Sequence, residues 1–197
     1  KIANEIGIKN VISNVLPAQK VEITSYPGFE ECEALMTVDL LRRAQLDTTM
    51  YSIHNTDEVT GSHNITVKAD KKLNELNELF DCVILPGGMP GTKYLMESKE
   101  VNALVVEHFN QNRLVAAICA APSVLGELQL LQGKKATCFP GFENQLHGAE
   151  VLNQKAVADG NIITAKGLGA AVEFAHAIIS YLINSKTADQ VVKTIQY

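Results

Sequence analysis

Cys119 is the residue whose surroundings best suit a reactive side chain. It follows the apolar run Leu114–Ile118 and precedes two alanines and Pro122. Proline suits the first turn of a helix, because the N–H it lacks would have no intrahelical partner there. The cysteine therefore reads as the turn between a strand and a helix start. Helix N-terminal N–H groups favour a thiolate over a thiol, which predicts a lowered pKa and a nucleophilic sulfur. Ala120 and Ala121 leave room for a sharp turn and a substrate. The arrangement is analogous to the nucleophile elbow of hydrolases, although no GxSxG pattern is present. A small buried hydrophobe is the plain alternative for any such cysteine.

Two further segments carry groups that a nucleophile needs. Pro86, Gly87, Gly88, Met89, Pro90 and Gly91 follow the apolar run Cys82–Leu85. Adjacent glycines at a strand's carboxyl end let backbone N–H groups approach an anionic oxygen, as an oxyanion hole requires. The second segment is Gly28, Phe29, Glu30, Glu31, Cys32 and Glu33, at the junction between a strand and a helix. Glu30 and Glu31 are read as complements to the helix dipole. Glu33 precedes Leu35 and Met36 and is expected to turn toward the sheet, where a buried carboxyl of raised pKa shuttles a proton or bonds a thiolate.

The elements that must position these groups are legible as alternating runs. Val21–Thr24, Thr48–Ile53, Cys82–Leu85, Leu114–Ile118 and Ile162–Ala165 are strand-like. Between them Val101, Leu104, Val105, His108 and Phe109 fall on one helical stripe, as do Ala171, Phe174, Ala175, Ile178, Ile179 and Leu182. Alternation of this kind predicts an α/β protein with a largely parallel sheet covered by helices on both faces. Ser52 to Lys68 is polar and turn-rich, with Val59, Ile65 and Val67 alternating, and reads as a small hairpin or an edge excursion. Residues 1–19 are an extension of undetermined structure, and 20–197 are expected to form a single domain.

Composition narrows the function. The chain has 197 residues, 46% of them hydrophobic, and a net charge of −5 without a run of Lys or Arg. That charge argues against nucleic acid as a partner. No apolar stretch nears the length that spans a bilayer, and the first 17 residues carry no signal-like block. A cytoplasmic protein with reduced thiols is expected, since the four cysteines (Cys32, Cys82, Cys119, Cys138) lack disulfide or zinc spacing. No HExxH or CxxC occurs, and neither a metal nor a cofactor is expected.

Tyr26–Glu33, Leu85–Gly88 and Ala116–Pro122 strongly resemble, in order and spacing, the three signature segments of the ThiJ/PfpI superfamily in its DJ-1 and YajL-like branch. Thr37–Ala44 and Gly167–Gly169 leading into Glu173–Ala175 extend the resemblance over the chain from about Lys20 onward. It implies a flavodoxin-like three-layer sandwich and a homodimer paired near the Glu33 helix. Cys119 is the implied nucleophile and Glu33 its carboxyl partner, with amides around Gly87, Gly88 and Ala120 binding an anion. The implied activity is cysteine-dependent glyoxalase or deglycase chemistry on a small reactive carbonyl or a glycated protein, without glutathione. A redox-regulated sensor or chaperone is the alternative, and a cysteine peptidase ranks below both. Two positions depart from the pattern. Phe139 stands where many relatives carry histidine, and Leu168 replaces the proline of a Gly-Pro-Gly turn, a change expected to alter pocket shape more than chemistry. His147 remains a minor candidate to assist Cys119.

Overall fold

A computed structural model describes residues 20–197 except Asn55 and Asn77, so the expected extension over 1–19 lies outside the described residues. In chain order the strands of the first half are β1 (Lys20–Ser25), β2 (Asp47–Ser52), β3 (Glu58–Thr60), β4 (Thr66–Lys68), β5 (Lys71–Lys72) and β6 (Cys82–Leu85). Those of the second half are β7 (Leu114–Ile118), β8 (Lys135–Ala136), β9 (Glu150–Val151), β10 (Ala156–Asp159) and β11 (Ile162–Ala165). The helices are α1 (Glu31–Arg43), α2 (Gly91–Glu97), α3 (Lys99–Asn110), α4 (Pro122–Glu127), α5 (Ala171–Leu182) and α6 (Ser185–Thr194).

Seven strands form the central sheet in the order β10-β11-β7-β6-β1-β2-β5. All neighbours are parallel except β10 and β11, which form an antiparallel edge. Period-2 alternation sends Val21, Ile23, Ile84, Ala116 and Ile118 to one face, where α1, α5 and α6 cover them. Val83, Leu85, Val115 and Ala117 point to the other face, under α3 and α4. The result is a flavodoxin-like three-layer fold.

The expected hairpin exists as β3 and β4, paired antiparallel, and Val59 and Phe29 join it to Ala34 of α1. The helix after Cys119 is short, Pro122–Glu127. It ends at Glu127, where a Cβ on Gly126 would lie 1.9 Å from the Gln145 carbonyl oxygen. A glycine held there for contact is a poor helix former, so α4 stops early.

The strand order reverses between β1 and β6, since the chain runs from β1 to β2 on one side and returns to β6 on the other. Crevices at such reversals, beyond the strands' carboxyl ends, are where open parallel sheets bind ligands. The segments after β1, β6 and β7 meet there.

Candidate active site

Cys119 occupies the turn after β7 with φ of +65°, a left-handed conformation that costs a non-glycine residue about 1–2 kcal/mol. Two backbone bonds hold it there. Its N–H donates to the Ala165 carbonyl at 2.9 Å, and its own carbonyl accepts the Phe139 N–H at 2.8 Å. The strain lifts the side chain out of the strand's alternation, leaving the residue half-buried above the sheet.

Gly87 and Gly88 close one side of the pocket. A Cβ on Gly87 would stand 2.5 Å from the Cys119 Cβ and 2.8 Å from Glu33 Oε2. A Cβ on Gly88, whose φ is +93°, would lie 2.3 Å from the Glu30 nitrogen. Only glycine permits this approach. Glu33 enters from the first turn of α1, which Glu30 caps by accepting the Glu33 N–H at 2.6 Å. The Glu33 carboxyl is 1% exposed, accepts the Gly87 N–H at 3.1 Å, and shares a hydrogen bond with the Cys119 thiol.

The backbone donors divide into two sets. The N–H groups of Ala120 and Gly88 are directed at the sulfur, while those of Gly87 and Leu168 are directed at Glu33. Gly87, expected to help bind an anion, instead spends its N–H on orienting the carboxyl. Leu168 does more than change the shape of the turn. Its N–H is a donor that proline at this position would lack, so the departure changes the electrostatics of the site.

Burial is the largest influence on both acidic groups. It raises the Glu33 carboxyl, and with the Glu30 charge adding against the bonds from Cys119, Gly87 and Leu168, the group rests at about 7. Burial, then the Glu33 charge and hydrogen bond, pushes the Cys119 thiol up to about 12, against the opposing N–H groups of Ala120 and Gly88. The lowered thiol pKa anticipated from a helix terminus is thus overturned: α4 has six residues, and desolvation beside a carboxylate outweighs its end. Two groups this close titrate as one unit. Over the interval between those values the pair carries one proton and one negative charge, and the four N–H groups determine which atom bears the charge.

The sequence profile of the DJ-1/PfpI family matches residues 19–181. The chain belongs to this family. It is 36% identical over 176 residues to protein DJ-1 homolog B of Arabidopsis thaliana, covering 88% of this chain and 40% of that protein. The chain therefore spans about two fifths of the length of that DJ-1 relative. A glutathione-independent glyoxalase of Caenorhabditis elegans, DJR-1.2, is 29% identical over 185 residues, 91% of this chain and 98% of its own. The solved structure of oxidized Toxoplasma gondii DJ-1 superposes with a TM-score of 0.88 at 36% identity, covering 91% of this chain and 99% of that one.

In this member of the DJ-1/PfpI family each of the five histidines has its partners elsewhere. His54 packs edge-on against Tyr26, His63 bonds Glu31, and His108 is buried and donates to the Leu104 carbonyl. His147 pairs with Glu127 and His176 with Asp189. Phe139 stands beside Gly167, its Cδ2 3.2 Å from the point a Gly167 Cβ would occupy. Among the other cysteines Cys32 is exposed on α1, whereas Cys82 and Cys138 are buried.

Glu31 departs from its expected role as a dipole complement. Its buried carboxylate accepts the N–H groups of His63 at 2.6 Å and Ile65 at 3.4 Å, pinning the β3–β4 hairpin to α1. With Glu30 and His63 it forms the group among the described residues whose ligand atoms lie close enough, within 4.8 Å, to hold a metal ion. Its oxygens are already engaged by the hairpin. A groove of about 800 Å³ is lined by residues including Tyr26, Ile53, Leu76, Glu100 and Leu104, and neither Cys119 nor Glu33 is among them. No helix among the described residues is long and apolar enough to cross a membrane.

Proposed function

We propose that the chain is a cysteine-dependent glyoxalase-type enzyme that converts small 2-oxoaldehydes to 2-hydroxy acids without glutathione. The carrying observation is the junction of Cys119 Sγ, the buried Glu33 carboxyl that shares a hydrogen bond with it, and two N–H groups aimed at the sulfur. The thiol of Cys119 adds to the aldehyde carbon, its proton passing through Glu33 to the new hydroxyl of a hemithioacetal. Glu33 then takes the hydrogen of that carbon as a proton and returns it to the neighbouring carbonyl carbon. One carbon is oxidised and the other reduced, so the step needs no external redox partner. The product is a thioester of Cys119, and water cleaves it to release the hydroxy acid and the thiol. The N–H groups of Gly88 and Ala120 suit the oxyanion that develops beside the sulfur. The named activity of the C. elegans relative supports the reading.

The test is hydroxy-acid formation from methylglyoxal without glutathione, for wild type and Cys119→Ser side by side. Activity in wild type that the serine variant lacks is expected. Equal turnover by both, or none in wild type, overturns the reading. A second reading, a redox sensor, draws on the same sulfur facing two N–H donors, which suit a sulfinate. It calls for peroxide to modify Cys119 before the more exposed Cys32, a sequence that mass mapping resolves.

A further inference from the structure

The segments around Cys119 turn N–H groups toward the sulfur and leave three large apolar side chains exposed. Met89, Phe139 and Leu168 keep 53%, 48% and 45% of their surface exposed. Each belongs to a segment that builds the site. Met89 follows Gly88, whose N–H is directed at the sulfur, and the Leu168 N–H is directed at Glu33. The Phe139 ring is tied to the reacting atom by geometry. The point that a Gly167 Cβ would occupy is 3.2 Å from Phe139 Cδ2 and 3.7 Å from Cys119 Sγ. Scattered exposed apolar side chains are ordinary on a surface and need no explanation. Three on the segments that supply the donors of one thiol and carboxyl, one of them with its ring beside the sulfur, are a grouped feature.

We propose that these three side chains form an apolar rim, a subsite for the carbon substituent of the substrate, so that the enzyme prefers 2-oxoaldehydes bearing a longer alkyl chain or an aryl ring over methylglyoxal. The proposal rests on the glyoxalase reading above and names its substrate class. Removing one methylene from water is worth about fourfold in binding. A half-open rim delivers part of that for each carbon. The four methylenes by which pentylglyoxal exceeds methylglyoxal should then raise kcat/KM by about tenfold, at nearly constant electrophilicity of the aldehyde.

Two measurements separate this proposal from the reading on which it rests. The first is the pentylglyoxal to methylglyoxal ratio of kcat/KM in wild type, Phe139→Ala, Leu168→Ala and Phe139→Leu. The ratio is expected to fall toward unity in the alanine variants and to survive largely in Phe139→Leu. The second needs no turnover: the rate of Cys119 alkylation by N-hexyliodoacetamide relative to iodoacetamide, normalised to the same ratio for N-acetylcysteine. A preference of about tenfold for the hexyl reagent is expected, reduced in Phe139→Ala. Turnover with a flat ratio and flat alkylation overturns the rim subsite and leaves the glyoxalase standing. A hexyl preference without aldehyde turnover supports the rim and sinks the glyoxalase.

Discussion

Glu31 and Glu33 stand two residues apart in the first turn of α1, both 1% exposed, and the structure drives their carboxyls in opposite directions. Burial raises each. In Glu31 the bonds from His63 and the backbone overcome it and hold the group at about 2. Glu33 receives the Gly87 and Leu168 N–H groups and a thiol that itself competes for the proton, and it rests at about 7. Burial and position on the helix are shared, so neither distinguishes an anchor from an acid-base group. The donors do, and they come from segments remote in sequence: Ser62, His63 and Ile65 for the anchor, Gly87 and Leu168 for the proton carrier. One carboxylate is saturated and fixed, and the other is left short of donors and able to exchange.

The largest effect expected from this contrast is on turnover. Glu33→Gln keeps the shape and can still accept the Gly87 N–H, but it cannot move a proton. Conversion of 2-oxoaldehydes should fall by roughly 100-fold or more, while the Cys119 thiol, relieved of the Glu33 charge that pushes it up, becomes easier to ionise. Glu31→Gln should leave turnover within about threefold, since a residue outside the reaction contributes only through placement. Steady-state kinetics of both variants measure the difference, and equal losses would break the comparison.

Stability should show the reverse order. Glu31→Ala leaves the His63 and Ile65 N–H groups without their buried acceptor and should cost about 3 kcal/mol in denaturant unfolding. The pH dependence sharpens the same point. Glu31, lowered in the folded state, is ionised where the unfolded chain still holds a proton, so stability rises between about 2 and about 4.5. Glu33, raised in the folded state, keeps a proton that the unfolded chain has released, so stability falls between about 4.5 and about 7. That fall amounts to about 3 kcal/mol at most. Glu31→Gln should flatten the acid limb and Glu33→Gln the neutral one. Retention of both limbs in either variant counts against the assignment.

How far these roles are written in the sequence depends on where the determining atoms lie. The five strand-like runs fall on β1, β2, β6, β7 and β11, and the most continuous of them, β6, β7 and β11, are buried on both faces of the parallel sheet. The edge strand β10, Ala156–Asp159, escaped notice because it is short, mixed in polarity and paired on one side. Cys119, Glu33 and Gly88 lie in signature segments and were legible as residue types. The division of N–H groups was not, because a backbone donor is the same for every residue but proline, and its target depends on tertiary placement. Leu168 was visible only as a departure from proline. The anchoring role of Glu31 is not legible in the sequence, because its partners sit in a hairpin about thirty residues away and nothing local marks the contact.

The smallest expected effect isolates a single donor. Leu168 begins a short 3-10 turn, Leu168–Ala170, and its N–H points at Glu33 rather than into the turn. Proline is tolerated at the first position of such a turn, so Leu168→Pro should delete the donor with little backbone cost. The charged form of Glu33 then loses one of its stabilising bonds. In a pair that shares one proton, the negative charge moves toward the sulfur, where the Ala120 and Gly88 N–H groups remain. The apparent midpoint of the pair should rise by about one pH unit, allowing for water that replaces part of the lost bond. Above that midpoint the thiolate absorbance should exceed that of wild type. Leu168→Ala retains the N–H, and its titration should overlay wild type. A shift of equal size in the alanine variant would assign the effect to the side chain and remove the amide from the account of how Glu33 differs from Glu31.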